Sequence, residues 1–461
     1  MDIREYLAGL KGKRVAVIGI GVSNTPLIKM LLREGISVTA CDKNKREEFG
    51  GLCEELESLG ACLQLGERYL EGLDQEVIFR TPGMRPDVPA LLEAQARGSV
   101  VTSEMEVFFQ VCPCHTIGVT GSDGKTTTTT IIASLLKAAG HNTYLGGNIG
   151  KPLLADVYGM EPQDWAVLEL SSFQLMTMDL SPEIAVVTNL APNHLDVHKS
   201  MSEYVAAKEN IFIHQNDDEK AVFNRDNAIT HGFAETAPGR VMEFSRREEL
   251  ERGVYLKDGA IWVANEVRAR PVLPLKDILL PGGHNVENYM AAIAAVDGLV
   301  PDEVIRGFAA RFGGVEHRIE LVRTLDGVRY YNDSIASSPS RTIAGLRSFP
   351  EKVILIAGGY DKHIPFDVLG PEITAHVKLL ILCGATADKI RAAVKQAPDY
   401  RPGCPEILDV TPFTTAVETA RDHAHPGDVV TLSPACAAFD QFKNFAERGK
   451  FFKSIVNGWQ E

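Results

Sequence analysis

Six consecutive residues, Gly121-Ser122-Asp123-Gly124-Lys125-Thr126, have the types and spacing to hold a polyphosphate. Two glycines let the backbone turn its N–H groups toward an anion without Cβ interference. Lys125 can reach the terminal phosphates, and the Thr126 hydroxyl, followed by Thr127, can ligate Mg²⁺. The run departs from G-x-x-x-x-G-K-[ST], because Val119 stands where the first glycine belongs; it is a compact T-G-x-x-G-K-T loop. Downstream, Glu169 closes the apolar run WAVLE, where a carboxylate beside a phosphate loop can hold the metal, and Ser171, Ser172 and Gln174 follow it. A second apolar run, IAVVTNL, delivers Asn193, His194 and Asp196, and Lys208 lies in YVAAKENIF. From the residues alone, His194 is equally a hydrogen-bonded structural histidine or a ligand, and Lys208 reads as a solvated helix lysine. Kinases, GTPases, motors and ligases all use such loops, so the loop points to nucleotide chemistry without naming the reaction.

These groups require a strand to launch the loop and a helix to receive it. HTIGVTG supplies the strand and TTTTTIIASLLKAAG a helix of about four turns ending at Gly140; the helix N-terminus adds its positive end to the anion site. The same theme of apolar run, glycine turn and helical pattern recurs in RVAVIGIGVSN and KVILIAGGYDKH. Short buried strands feeding helices predict an α/β fold with mainly parallel sheets. Soft boundaries near RGSVVTSEMEVFF and near Gly313-Gly314 divide the chain into 1–103, 104–314 and 315–461.

The bulk numbers agree with a globular protein of about three domains. Of 461 residues, 45% are hydrophobic, and 61 acidic residues face 47 basic ones. That balance argues against nucleic acid as the main partner. Apolar runs such as LLILC are far shorter than a membrane span, and MDIREYLAGLKGK carries acids where a secretory leader carries bases. The eight cysteines are scattered, with a single C-x-C at Cys112 and Cys114 and no clustered histidine. The expectation is a cytoplasmic, non-membrane protein with reduced thiols.

Taken in order, TGSDGKTT, GGNIG (146–150), LELSSFQL (168–175), NHLDVH (193–198), YVAAKENIF (204–212), GGHNVENYMAAIAA (282–295), EHRIE (316–320), YNDSIASSPS (331–340) and LSPACAAFDQFKNFAERG (432–449) resemble the Mur ligases over nearly the whole chain. The resemblance implies three domains: a Rossmann-like UDP-binding domain, a central phosphate-loop ATPase-like domain and a Rossmann-like C-terminal domain. SSFQL and SPACAAFDQFKNFAERG are most similar to the branch that adds D-glutamate to UDP-N-acetylmuramoyl-L-alanine, a cytoplasmic step of peptidoglycan synthesis. Such a ligase uses ATP and, by resemblance, two Mg²⁺ ions to make an acyl phosphate that an amine then attacks.

Residue by residue, the resemblance puts Gly121, Ser122, Asp123, Gly124, Lys125, Thr126 and Thr127 around the ATP phosphates and Asn288 at the adenine. Arg318 and Asp333 would reach the γ-phosphate and ribose when the C-terminal domain closes. Thr126 and Glu169 would share one Mg²⁺; His194 and a carbamylated Lys208 would hold the second. Gly21, Val22 and Ser23, in a loop too poor for a dinucleotide fingerprint, would face the UDP pyrophosphate, with Asp42 and Lys43 near the uracil. Asn148, Ser171, Gln174 and His194 would hold the muramoyl-alanine arm, and Ser337, Lys362 and Phe445 the D-glutamate. A surface ion pair is the plain alternative for Arg318 and Asp333, a helix cap for Asn288 and a solvated lysine for Lys362. Ile335 and Ala438 depart from the family pattern, where lysine and serine are common, and the DNPR run of the diaminopimelate- or lysine-adding relatives is absent.

Two rivals follow. One is another Mur-type or folylpolyglutamate-type ligase with a different amino acid; the other is a nucleotide-gated scaffold without turnover. A monomer is expected, since nothing in the sequence demands a multimer.

Overall fold

Strands of the first glycine motif pair side by side, as unbroken apolar runs must when both faces are covered. A computed structural model describes residues 1–191, 198–265, 268–362 and 364–460. The chain forms two compact units: Met1–Asp277 with Val286–Phe308, and Ile278–Asn285 with Ala309–Glu461.

Two sheets lie in the first unit. Strands β1 (Arg14–Ile18), β2 (Ser37–Asp42), β3 (Cys62–Leu65), β4 (Val77–Phe79) and β5 (Val100–Thr102) form a parallel sheet in the order β3-β2-β1-β4-β5. The second sheet contains β6 (His115–Thr120), β7 (Thr143–Gly147), β8 (Trp165–Glu169), β9 (Ile184–Val187), β10 (Lys220–Asn224), β11 (Arg240–Ser245), β12 (Gly253–Lys257), β13 (Ala260–Ala264) and β14 (Ala269–Pro274). Its order is β14-β13-β12-β11-β10-β9-β6-β8-β7. Pairing is parallel from β7 across to β12, and β12, β13 and β14 are antiparallel. The antiparallel edge escaped the sequence reading. Its β12–β13 turn is Asp258-Gly259, both at positive φ, a strong hairpin signal.

The second unit holds β15 (Glu320–Leu325), β16 (Val328–Asn332), β17 (Val353–Ala357), β18 (Val377–Leu382), β19 (Glu406–Asp409) and β20 (Val429–Leu432), ordered β15-β16-β20-β17-β18-β19. Only β15 runs antiparallel to its neighbour.

Each parallel sheet has a strand whose neighbours lead away on opposite sides. Strand β1 sits between β2 and β4, and β6 between β8 and β9. Ligand crevices open beyond the carboxyl ends of strands at such switch points. The glycine loop 19–24 leaves β1 there, and loop 121–124 leaves β6 there. Strand β6 is buried from Thr116 to Thr120, which fixes the loop's origin. All eight cysteines are free thiols. Among the described residues no helix is long and apolar enough to cross a membrane.

Candidate functional site

Loop 121–124 runs from β6 into the helix Lys125–Ala138 and is braced from the side. Gly121 has φ 147°, and a Cβ there would lie 2.0 Å from Thr188 Oγ1. Gly124 caps the helix at φ 80°, where a Cβ would meet Asn288 Oδ1 at 2.3 Å. Both positions therefore exclude side chains on conformational and steric grounds. Thr188 Oγ1 donates to the Asp123 carbonyl at 2.6 Å, and Asp123 N donates to Asn189 Oδ1 at 3.0 Å. Ser122 Oγ donates to the Ala191 carbonyl and lies 3.0 Å from the Tyr204 hydroxyl. The loop is thus held by its flanks, leaving the helix N-terminus to face an anion.

Lys125 Nζ folds back onto the Gly121 and Ser122 carbonyls at 3.0 and 2.9 Å. Thr126 Oγ1 donates to Glu169 Oε2 at 2.7 Å, and Asn148 Nδ2 to Glu169 Oε1 at 2.8 Å. Glu169, at the end of β8, is buried. Its carboxylate and the Thr126 hydroxyl are hard oxygen donors in contact, a donor set that suits Mg²⁺.

Lys208 is no solvated helix lysine: it is 2% exposed. Its Nζ donates to Thr120 Oγ1 at 2.7 Å and to the Gly121 carbonyl at 3.2 Å. Burial first, then the Lys125 charge, holds its pKa well below the ordinary lysine value, against a smaller opposing pull from Glu169. Burial and the Lys125 charge thus both disfavour the charged form of the amine. His194, with Asn193 and Asp196, lies outside the described residues. Among the described residues no group of three or more His, Cys, Asp or Glu could hold a metal ion.

Ser171 caps the short helix Ser172–Leu175 through a capping box, with Gln174 Oε1 accepting from the Ser171 N–H and hydroxyl at 2.9 and 2.8 Å. Asn288 is not an end cap. It lies inside the helix Gly283–Val296, and its Oδ1 accepts from Thr128 Oγ1 at 3.3 Å. That contact joins it to the phosphate-loop helix.

The first glycine loop is more open. Gly19, at φ 93°, packs against Thr81, whereas nothing approaches a Cβ at Gly21 and Val22 is 80% exposed. Asp42 ends β2 and accepts from Ile20 N at 2.7 Å and Asn44 N at 2.9 Å. It braces the loop from below. Lys43 is exposed and Ser23 half-buried.

In the second unit, Asp333 follows β16 and is buried, so it is not half of a surface ion pair. Ser433 Oγ donates to its Oδ2 at 2.7 Å and Ile319 N to its Oδ1 at 3.3 Å. Burial outweighs these bonds and the nearby Arg318 and Arg341 charges, pushing the carboxyl up to about 7. Arg318 is half-buried in a turn flanked by His317 and Ile319, both at positive φ, the kind of local strain found at functional sites. Ser337 is half-buried, Phe445 starts the helix Phe445–Gly458, and Lys362 is exposed. Ala438 is buried and Ile335 half-buried.

Several residues of this constellation escaped the sequence reading. Thr120, Thr188, Asn189 and Tyr204 brace the phosphate loop; for the first three, small polar residues at strand ends were the available signal, and Tyr204 lies within the helix Met201–Glu209. Arg448, which the sequence reading did not single out, is 2% exposed. It donates to Ser334 Oγ and to the carbonyls of Ser334, Cys436 and Ala437 at 3.0 to 3.1 Å. It ties together the two segments that carry Ser337 and Ala438. Burial outweighs the opposing pull of Cys436 and Asp440 and brings its pKa down to about 10.

Known proteins bear on this geometry. The Mur ligase middle domain matches residues 119–296, and the Mur ligase, glutamate ligase domain matches residues 317–436. The UDP-N-acetylmuramoylalanine–D-glutamate ligase of Acetivibrio thermocellus is 52% identical over 459 residues, covering 99% of this chain and 98% of that protein. The same-named protein of Clostridium beijerinckii is 51% identical, covering 99% of each. Among solved structures, UDP-N-acetylmuramate-alanine ligase from Thermotoga maritima shares the fold at TM-score 0.58 and 16% identity, covering 96% of this chain and 99% of that one. A UDP-N-acetylmuramoyl-L-alanyl-D-glutamate–2,6-diaminopimelate ligase does so at TM-score 0.54 and 18% identity, covering 91% and 86%.

Proposed function

The chain belongs to the Mur ligase family, and we propose that it joins D-glutamate to UDP-N-acetylmuramoyl-L-alanine, with ATP converted to ADP and phosphate. The observation that carries this reading is the braced loop 121–126 with Glu169 and a buried Lys208 against it, in a chain about half identical to ligases of that name. A carboxylate is a poor electrophile. Transfer of the γ-phosphoryl group to the alanyl carboxylate makes an acyl phosphate, the D-glutamate amine adds to its carbonyl carbon, and the tetrahedral intermediate expels phosphate. Catalysis of such steps is mostly positioning and neutralisation of crowded anions.

Gly121 to Thr127 would receive the ATP phosphates on backbone N–H groups. Lys125 would turn its ammonium from the Gly121 and Ser122 carbonyls to the terminal phosphates, and Asn288 would meet the adenine. Thr126 and Glu169 would hold one Mg²⁺, and His194 with Lys208 a second; the ions would neutralise charge on the transferred phosphoryl group. Lys208 would serve there as a carbamate: its buried amine, with a pKa held below the ordinary lysine value by burial, would add CO₂ and release a proton. Gly21, Val22, Ser23, Asp42 and Lys43 would take the UDP end, Asn148, Ser171 and Gln174 the muramoyl-alanine arm, and Ser337, Lys362 and Phe445 the amino acid. Arg318 and Asp333 would complete the nucleotide site. We place the domains at 1–103, 104–314 and 315–461, and the enzyme as a cytoplasmic monomer serving cell-wall synthesis.

The test is phosphate release with UDP-N-acetylmuramoyl-L-alanine, ATP, Mg²⁺ and a panel of amino acids. Release that depends on D-glutamate, with ¹⁸O moving from the acceptor carboxyl into phosphate, is expected. Faster release with L-alanine or diaminopimelate, or no ¹⁸O in the phosphate, would overturn the reading.

A further inference from the structure

A single short segment, Arg80 to Asp87, touches three parts of the first unit that the proposed reaction must keep in register. At one end Thr81 packs on Gly19, so closely that a Cβ on the glycine would lie 2.9 Å from Thr81 Cβ. The segment is thereby seated against the loop expected to take the UDP pyrophosphate. Arg80, 1% exposed, donates to the Phe173 carbonyl at 3.2 Å and to Thr177 Oγ1 at 2.6 Å, gripping the end of the Ser172–Leu175 helix. A further Arg80 nitrogen donates to the Met84 carbonyl at 3.0 Å, which folds the segment on itself.

Arg85 makes the third contact. Its guanidinium donates to both Glu203 oxygens, Nη2 to Oε1 at 2.8 Å and Nη1 to Oε2 at 2.9 Å. Nε and Nη2 also donate to the two oxygens of Asp87 at 2.8 and 3.0 Å, and Lys199 Nζ reaches Asp87 Oδ2 at 2.6 Å. Glu203 stands in the first turn of the helix Met201–Glu209, whose last turn carries Lys208. Paired forks of this kind fix orientation as well as distance. The hydrogen bonds from Arg85, then the Lys199 backbone N–H, draw the Glu203 carboxyl down to about 2, so the pair stays charged across physiological pH.

We propose that Arg85 is a positioning residue: acting through Glu203, it latches the helix bearing Lys208 to the glycine loop that receives the UDP-sugar. The latch rests on the proposed function. Through Glu203 and its helix, it sets where the acceptor carboxylate sits relative to the phosphate loop. Loop 121–126 touches this helix at Tyr204 and Lys208, but it also has braces at Thr188, Asn189 and Asn288 that do not pass through the helix, so ATP binding depends on the latch less than UDP-sugar binding does.

Steady-state kinetics on the full chain, varying ATP and the UDP-sugar separately, test this with Arg85→Ala, Arg85→Lys, Glu203→Gln and the Arg85→Ala/Glu203→Gln double variant. Displacement of a reacting group by about an ångström lowers rates by up to roughly a hundredfold. We expect Arg85→Ala to lose about tenfold to a hundredfold in kcat/KM for UDP-N-acetylmuramoyl-L-alanine, with KM for ATP within about twofold of the parent. Arg85→Lys should recover part of the loss, and the double variant should fall no further than its worse single. Calorimetric binding of the UDP-sugar without ATP gives a readout independent of turnover. Parent-like values in Arg85→Ala by both measures would overturn the latch, as would equal losses toward ATP and UDP-sugar, or losses that multiply in the double variant. A parent that fails to turn over refutes the proposed reaction instead.

Discussion

Two glycine loops leave two parallel sheets at equivalent topological positions, yet they are built to different tolerances. Loop 121–124 is walled in. The Thr188 side chain, the Asn189 backbone and the Asn288 side chain stand where any Cβ at Gly121 or Gly124 would have to go. Loop 19–24 is supported from beneath by Asp42 and left open above, with Val22 exposed and nothing near Gly21. A transferring phosphoryl group demands a fixed cradle, because geometry errors there fall on the chemical step. A pyrophosphate that only anchors a substrate tolerates an open backbone shelf. The contrast ties motif strictness to what happens at each site.

The largest expected effect breaks the contrast at its centre. Lys125→Ala should reduce phosphate release by roughly a thousandfold, the scale of losing a preorganised charge on the reacting group, and near-parental turnover would dissolve the assignment. Next, Gly124→Ala should destabilise the fold by roughly 2–3 kcal/mol, from the positive φ and the Asn288 contact together, and weaken ATP binding. Thermal unfolding and nucleotide titration read both.

A third loop end sharpens the comparison. Asp333 braces the turn of Arg318 as Asp42 braces loop 19–24, but its buried carboxyl titrates near 7, against about 3.9 when unfolded. A raised folded pKa means the associated stability is fully present below pH 4 and is lost as pH rises from about 4 to about 7. Denaturant unfolding should show that decline in the parent, up to roughly 4 kcal/mol, and a flatter profile in Asp333→Asn. Equal pH dependence in both would refute it. The smallest effect belongs to Gly21→Ala, expected to change stability by less than about 0.5 kcal/mol. A loss matching that of Gly124→Ala would erase the difference between the two loops.

The sequence made much of this legible because its signals are local. Apolar runs ending in glycine placed β1, β6 and β17, and Glu169 and Asp42 fall at the strand ends where they were expected. What escaped depends on residues brought together from far along the chain. Thr188 and Asn189 are small polar residues after a strand, and only the fold turns them onto Gly121 and Asp123. Lys208 carries no local mark of burial; its helix packs that face inward, so a pattern suggesting solvent conceals an amine with a lowered pKa. Arg448 is likewise packed inward by its helix, with no local sign of it in the sequence. The β12–β14 edge is different, since its Asp-Gly turn was present in the sequence and simply outweighed by the parallel theme.

The buried Arg448 also limits how the segments that carry Ser337 and Ala438 could be re-engineered. Four oxygens from three residues share one planar fork, and lysine has neither the shape nor the donors to replace it. Substitutions meant to spare that network belong instead at Tyr360 and Phe439, a solvent-facing aromatic pair 5.7 Å apart. There a new side chain can be grafted without unpicking the stitch underneath.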